Sequence, residues 1–339
     1  MASVSVWIVV AIHLDGRAHF LELPDSFFTW WHLLMYSGAA AAITILLAMG
    51  VRRRDAGQSV IASALRPPRG YGAALVGAAV FTVGGAADMG WHSVFGIETG
   101  VDALLSPPHL VLMLGAVLLF SGPILASVDK RDEGAAWGVP ALASVGAVTA
   151  VADFATIYSS AFSTDAPLRV VEHFPEGTPE HYAAEVPAAL GLASFVLTTL
   201  ILVVPLAFLL KWRPVPLGTA TVGVAALAAL AATLNDFQRP WVIVAAGAGA
   251  FVVDIAIAIG MRRLQRWVAV IAAVTTPLAV WSADMVALHL TDGVRWPAEL
   301  VAGSVLLSAL LAAAVANVIG QAEKRPDNAL TKRPEPIAG

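Results

Sequence analysis

Long apolar stretches of about 20 residues recur along the whole chain and are separated by short polar connections. Stretches of this length, without strict alternation of polar and apolar residues, are typical of helices that cross a hydrocarbon core about 30 Å thick. The pattern predicts an all-α, polytopic integral membrane bundle of about ten transmembrane helices. The predicted helices are residues 2–18, 27–49, 70–92, 107–127, 136–158, 185–210, 215–235, 240–260, 267–288 and 297–319.

The predicted helices pair into hairpins that form a single transmembrane domain over residues 1–320. The five hairpins lie at about 1–50, 70–127, 136–210, 215–260 and 267–320. Each odd helix carries an acidic residue near its outer end, which indicates an internal repeat. These acidic residues are Asp15, Asp88, Asp153, Asp236 and Asp284. Residues 321–339 are polar and rich in proline, so we expect a disordered cytoplasmic tail.

The composition supports a membrane protein and excludes several kinds of cofactor site. Hydrophobic residues make up 58% of the chain and charged residues 13%, against about 25% charged residues in a soluble domain. The absence of cysteine excludes thiolate metal sites, iron–sulfur clusters and covalently attached c-type haem. Nothing resembles a nucleic-acid-binding patch. The expected partner is the lipid bilayer, and the sequence leaves open partner subunits or a homo-oligomer.

Basic residues divide unequally between the two sides of the predicted bundle. Connections from odd to even helices hold four of them, whereas the other connections and the tail hold sixteen. The positive-inside rule therefore places both termini in the cytoplasm. All eight histidines then fall on or near the extracytoplasmic side. This distribution predicts imidazole chemistry at that face.

The first two hairpins carry the same Asp/His/His pattern. The first set is Asp15, His19 and His32, and the second set is Asp88, His92 and His109. In each set the Asp and the first His are four residues apart, so both lie on one face of a helix. The second His lies in the first turn of the next helix, at the same depth in the membrane as the Asp/His pair. Two imidazole nitrogens and one carboxylate oxygen suit Cu(II), Zn(II), Fe(II) or Mn(II), so the pattern predicts metal binding, either at two sites or at one site shared by both sets.

Other polar residues are weaker candidates. His181 and Glu185 are also four residues apart, at the start of the sixth predicted helix, where they would add ligands or gate access. His289 lies in a degenerate copy of the motif, and we do not expect it to bind metal. Asp254 lies deeper in the predicted bundle, and a local hydrogen bond to Ser, Thr or backbone is favoured there over an ion path.

The spacing of the first set, Asp-x3-His-x12-His, resembles the copper-site motif in the C subunit of particulate methane and ammonia monooxygenases. That subunit is similar also in carrying a second Asn/Asp-x3-His-xn-His set on neighbouring membrane helices, which the second set would parallel with a longer spacing. The resemblance covers about twenty residues per motif. It implies copper, partner subunits, and oxidative chemistry on small apolar or ammonia-like substrates. Residues 91–98 and 106–109 also resemble an uncharacterised group of bacterial multi-pass proteins, which implies no function.

Three functions are compatible with the sequence. The favoured one is a membrane metalloprotein with copper, or alternatively zinc or iron, acting as an oxidase or monooxygenase subunit or as a copper-handling protein. The second is a transporter of metal ions or small solutes. Transporters usually have ionisable groups near the membrane midplane, whereas in this sequence most such groups lie at one end of the predicted bundle. The third is a b-type haem protein with His32 and His109 as axial ligands.

Overall fold

The structure, a computed structural model, describes residues 1–24, 26–98, 100–129 and 136–321. Within these residues the protein is all-helical and contains no strand, so the predicted all-α class is confirmed. The helices are α1 (Ala2–Phe20), α2 (Trp30–Val51), α3 (Val60–Ala64), α4 (Gly72–Phe95), α5 (Val101–Leu105), α6 (Pro107–Phe120), α7 (Gly122–Asp129), α8 (Val139–Ala155), α9 (Pro179–Trp212), α10 (Thr219–Leu234), α11 (Trp241–Arg263), α12 (Val268–Thr291) and α13 (Ala298–Gln321). Short 3₁₀ turns lie at Ile157–Ser159, Ala166–Leu168 and Gln265–Trp267.

Seven helical segments of the described chain are long and apolar enough to cross a membrane. They are Trp30–Val51, Gly72–Phe95, Pro107–Val128, Pro179–Trp212, Trp241–Arg263, Gln265–Thr291 and Ala298–Gln321. Helices α8 and α10 are apolar but shorter, and α1 is not among the seven. The chain is therefore a multi-pass membrane protein by length and composition. The count of about ten spans and the arrangement in repeated hairpins stay predictions.

The outer surface of the bundle is apolar, as a bilayer requires. Val83, Val244 and Leu310 are 64%, 72% and 70% exposed. An apolar surface of this extent is rare on soluble monomers, because it promotes association in water. In a bilayer, lipid chains cover such side chains, so the apolar surface does not promote association.

The sixth predicted helix begins earlier than the sequence pattern indicates. Helix α9 starts at Pro179 rather than at residue 185, because the Thr178 hydroxyl accepts a hydrogen bond from the backbone N–H of His181 at 3.2 Å and Pro179 occupies the first helical position. The connection before α9 is packed rather than loose. Its residues Ala161 and Phe162 are buried, and the Phe162 ring lies 5.3 Å from that of Trp281. The predicted tail beyond residue 321 lies outside the described residues.

Two hydrophobic cores organise the bundle. One is shared by α1, α2, α4, α6 and α8, and the other is shared by α9 to α13 and the connection before α9. Helix α10 also packs against α1 and α8, which joins the two halves. At the ends of α1 and α10, the Arg17 guanidinium donates to the Asp236 carboxylate at 2.6 Å. The first core carries both Asp/His/His sets.

Glycines bring α4 and α6 into backbone contact. A Cβ atom on Gly77 would lie 2.3 Å from the backbone nitrogen of Leu119, and one on Gly115 would lie 2.5 Å from that of Phe81. Small residues allow membrane helices to approach in this way, so that van der Waals contact and polar side chains hold them together. Gly77, Gly84 and Asp88 follow helical spacing along α4, so the close contact with α6 directs Asp88 toward that helix.

Candidate metal centre

The second set forms the tightest cluster of candidate metal ligands among the described residues. Nε2 of His92 lies 3.5 Å from Oδ1 of Asp88, and Nε2 of His109 lies 3.3 Å from the same oxygen. One ligand atom from each of these three residues lies within 4.8 Å of the other two. The side chains are between 13% and 21% exposed. Three protein ligands at this separation leave room for a cation between them.

The start of α6 orients His109. Ser106 caps the helix through its hydroxyl, which accepts a hydrogen bond from the backbone N–H of His109 at 3.4 Å. Two prolines occupy the first helical positions, where a missing N–H costs nothing. The imidazole Nδ1 of His109 is hydrogen-bonded to the carbonyl oxygen of Ala103. Because a carbonyl oxygen only accepts hydrogen bonds, Nδ1 carries a proton, which leaves Nε2, the nitrogen facing Asp88, as the one available to a metal ion.

His92 is oriented in the same way from the end of α4. Its Nδ1 lies 3.0 Å from the carbonyl oxygen of Gly96, which again requires the proton on Nδ1. Both imidazoles therefore present Nε2 to one carboxylate oxygen. That oxygen, Oδ1 of Asp88, is buried and has no hydrogen-bond partner among the described residues. Two imidazole nitrogens and one carboxylate oxygen that converge in this way are a donor set for a divalent metal, so the arrangement fits a bound cation.

The first set repeats this geometry between α1 and α2. Nε2 of His32 lies 3.0 Å from Oδ1 of Asp15, and Nε2 of His19 lies 3.8 Å from the same oxygen. His32 occupies the same position in its helix as His109 does in α6. Its Nδ1 lies 2.9 Å from the carbonyl oxygen of Ser26, six residues earlier, and 3.0 Å from the hydroxyl of Thr29. The local repeat thus extends beyond the ligands to the backbone groups that orient them.

The two sets differ in how closely their ligand atoms approach one another. Among the described residues, one ligand atom from each member of the second set lies within 4.8 Å of the other two, whereas the first set spans 3.0 to 3.8 Å from Asp15 to its two imidazoles. The first hairpin has the shorter motif spacing, but the second has the tighter cluster. The additional residues between His92 and His109 include the short helix α5 (Val101–Leu105), which takes up their length without moving His109 away from Asp88.

Both sets face one cavity of about 400 Å³ within the first core. All three residues of the first set line it, and so do Asp88 and His109 of the second. The rest of the wall is mainly apolar and includes Phe81, Leu112, Met113, Val151 and Phe154. A mainly apolar cavity with a few polar groups pointing inward is the usual form of a small-molecule site.

An aromatic pair lies at the outer edge of the cavity. The rings of Phe20 and Tyr158 stack with their centroids 5.2 Å apart, and both residues line the cavity. Phe20 is 43% exposed and Tyr158 is 45% exposed, so the pair faces both the cavity and the surroundings. Partial burial raises the pKa of the Tyr158 hydroxyl above its ordinary value.

Several residues of this site do not follow from helix periodicity. Glu98 lies in the connection after α4, and its Oε2 atom is 3.2 Å from Nδ1 of His92. Phe154 and Tyr158 reach the cavity from α8 and the connection behind it, outside the two hairpins that carry the ligands. The only sequence signal near Glu98 is Gly96, whose φ of 84° turns the chain back toward α4.

The remaining sequence candidates take other roles. Asp254 accepts hydrogen bonds from the backbone N–H groups of Ala220 and Thr221 at 3.1 and 2.9 Å. It also accepts one from the Thr221 hydroxyl at 2.6 Å. The local hydrogen bond predicted for Asp254 is therefore confirmed. Nδ1 of His181 lies 3.1 Å from the carbonyl oxygen of Phe174. Its predicted role as a ligand with Glu185 stays a prediction.

The acidic residues of the predicted repeat differ in their surroundings. Asp15 and Asp88 each lie beside two imidazoles, whereas Asp236 pairs with Arg17. Asp153 is 1% exposed and accepts a hydrogen bond from the Ser160 hydroxyl at 3.3 Å. Asp284 is also 1% exposed. Only the first two hairpins therefore combine the acid with histidines among the described residues.

Comparison of the chain with protein-family models, with curated proteins and with solved structures finds no match. The assignment of function therefore depends on the geometry of the two sets and of the cavity between them.

Proposed function

We propose that this chain is a bacterial plasma-membrane metalloprotein that binds divalent metal ions, preferentially copper, at both Asp/His/His sets. The observation that carries the proposal is the convergence of Asp88, His92 and His109, whose ligand atoms lie within 4.8 Å of one another. The burial of the Oδ1 atom of Asp88, which has the two Nε2 atoms at 3.3 and 3.5 Å, also supports it. Two nitrogens and one oxygen suit a divalent first-row metal, and copper is favoured by the resemblance of the first set to a copper motif.

Each set is proposed to hold one ion rather than to share one. Each aspartate oxygen lies within 3.8 Å of the two imidazoles of its own set. Three protein ligands leave at least one coordination position open, as in metal sites that act on a bound molecule. Because residues of both sets line the same cavity, the open positions would face a common space.

The cavity favours an enzymatic or ligand-handling role over transport through the bundle. A conducting path needs ionisable groups near the midplane, whereas the deep carboxylate of Asp254 caps α10. An apolar cavity beside a metal is suited to a small molecule that reacts with or binds to that metal. The distribution of basic residues supports an extracytoplasmic position for this end of the bundle, and the resemblance supports partner subunits in the assembly.

Metal analysis of the purified full-length chain tests the proposal. The protein is offered copper, zinc and iron in turn, freed of loosely bound ions and analysed for metal content, with EPR spectroscopy of the copper form. The proposal expects retained divalent metal and a Cu(II) spectrum with nitrogen ligands. A paired-histidine haem spectrum would instead support the haem interpretation, and the absence of any retained metal would contradict the proposal.

A further inference from the structure

Glu98 approaches the second set from outside the cluster of ligands. Helix α4 ends at Gly96, whose φ of 84° is favoured for glycine, and the chain then returns toward the helix end. As a result, the buried Oε2 atom of Glu98 lies 3.2 Å from Nδ1 of His92. This is the ring nitrogen on the far side of His92 from Asp88.

The carboxylate of Glu98 is itself held in place. Its other oxygen, Oε1, accepts a hydrogen bond from the indole N–H of Trp91. Trp91 also packs against Phe95, with ring centroids 4.3 Å apart, which fixes the indole on the last turn of α4. Both carboxylate oxygens are therefore engaged by neighbouring residues of the same helix end, and the side chain is only 18% exposed.

We propose that Glu98 is a positioning residue for the second metal site and supplies its second negative charge. The Nδ1–H group of His92 donates to the carbonyl oxygen of Gly96, and the Oε2 atom of Glu98 lies 3.2 Å from the same nitrogen. A carboxylate at this nitrogen fixes the tautomer and the orientation of a ligating imidazole and makes it a stronger electron donor. This inference rests on the proposed function, because it assigns a role to Glu98 only when the second set binds metal.

The charge of the site supports the same assignment. Two neutral imidazoles and the Asp88 carboxylate would leave a divalent ion with one uncompensated positive charge. Glu98 adds one negative charge within 3.2 Å of a ligand ring, so that Asp88 and Glu98 together neutralise the ion. Neutral overall charge matters here because an uncompensated charge is costly in an apolar environment. The site is therefore suited to a divalent cation rather than a monovalent one.

The test measures Cu²⁺ and Zn²⁺ affinity at the second set alone, by competition with a chelator. The host is the full-length chain with His32→Ala, or with Asp15→Asn if the first host does not fold. In either host, Glu98→Gln is expected to weaken binding about tenfold and Glu98→Ala up to about a hundredfold, as for other carboxylates behind metal-bound imidazoles. Asp102→Asn, in the same connection and exposed, is the matched control and should leave the affinity unchanged.

A spectroscopic measurement separates positioning from general loss of structure. Pulsed EPR of the Cu²⁺ form detects the remote nitrogen of a bound imidazole, and its frequencies depend on the hydrogen bond made by that nitrogen. Glu98→Gln should shift these frequencies, and Asp102→Asn should not. If the host binds metal but Glu98→Gln changes neither affinity nor frequencies, the role of Glu98 is wrong while the metal site stands. If the host binds no metal, both proposals are wrong for this set.

Discussion

Nε2 of His109 lies 3.3 Å from Oδ1 of Asp88, although the two residues belong to different helices. The contact depends on two features of the sequence. Gly77 and Gly115 allow the backbones of α4 and α6 to touch, and the cap at Ser106 places His109 in the first turn of α6. Helix packing and helix capping thus assemble a polar cluster in an otherwise apolar bundle.

The first prediction concerns the packing of α4 on α6. Gly115→Ala should destabilise the protein by about 1–3 kcal/mol, because the added methyl group would lie 2.5 Å from the backbone nitrogen of Phe81. Thermal unfolding in detergent measures the loss. Gly85→Ala is the matched control, since a Cβ atom there meets nothing within 4 Å. Equal melting temperatures for the two variants would contradict the close contact.

The second prediction concerns Asp254. Asp254→Ala should lower the free energy of unfolding by about 1–3 kcal/mol, because the buried N–H group of Ala220 and the neighbouring N–H of Thr221 lose their acceptor. Metal content should stay at the wild-type value, because this residue caps a helix far along the chain from either set. A loss of metal or of ion flux without a loss of stability would instead favour the transporter interpretation.

The third prediction concerns pH. Imidazole and carboxylate must lose their protons to bind a metal ion, so proton uptake competes with the metal. Copper or zinc occupancy should therefore fall as the pH is lowered from about 7 to about 5, the range over which an ordinary imidazole is protonated. Calorimetry in buffers of different ionisation enthalpy should show proton release on binding. Occupancy that rises on acidification would contradict ligation by histidine.

The fourth prediction concerns topology. Sixteen basic residues lie in connections assigned to the cytoplasm and four in those assigned to the outside. Reporter fusions after Arg54, Arg131, Arg213 and Arg263 should therefore report the cytoplasm, and a fusion near Gly177 should report the outside. A consistent inversion would move both Asp/His/His sets to the cytoplasmic face.

Much of the fold could be predicted because the relevant signals are local. Apolar runs of spanning length predict the helices, and spacing of four residues correctly places His19 beside Asp15 and His92 beside Asp88. The return of His32 and His109 to the same oxygens also follows from a tight hairpin. These relationships involve one helix or two consecutive helices, so no long-range packing had to be known.

The remaining features depend on contacts that periodicity does not describe. The start of α9 is set by the cap at Thr178 rather than by its apolar pattern. Glu98 reaches His92 through a turn in an irregular segment. Phe154 and Tyr158, which follow the first two predicted hairpins, also line the cavity. Hydrophobic patterning does not indicate how helices from different hairpins pack against one another. The short helix α5, which accommodates the longer spacing of the second set, is likewise not revealed by motif spacing alone.

The central claim is tested most directly by the metal content of single-site variants. Wild-type protein loaded with copper should retain two ions per chain, and His109→Ala and His32→Ala should each retain one, because each variant removes one imidazole from one set. His289→Ala is the control and should retain two, since that histidine is exposed and does not line the cavity. Full copper content in the correctly folded His109→Ala variant, or no retained metal in the wild type, would contradict the account.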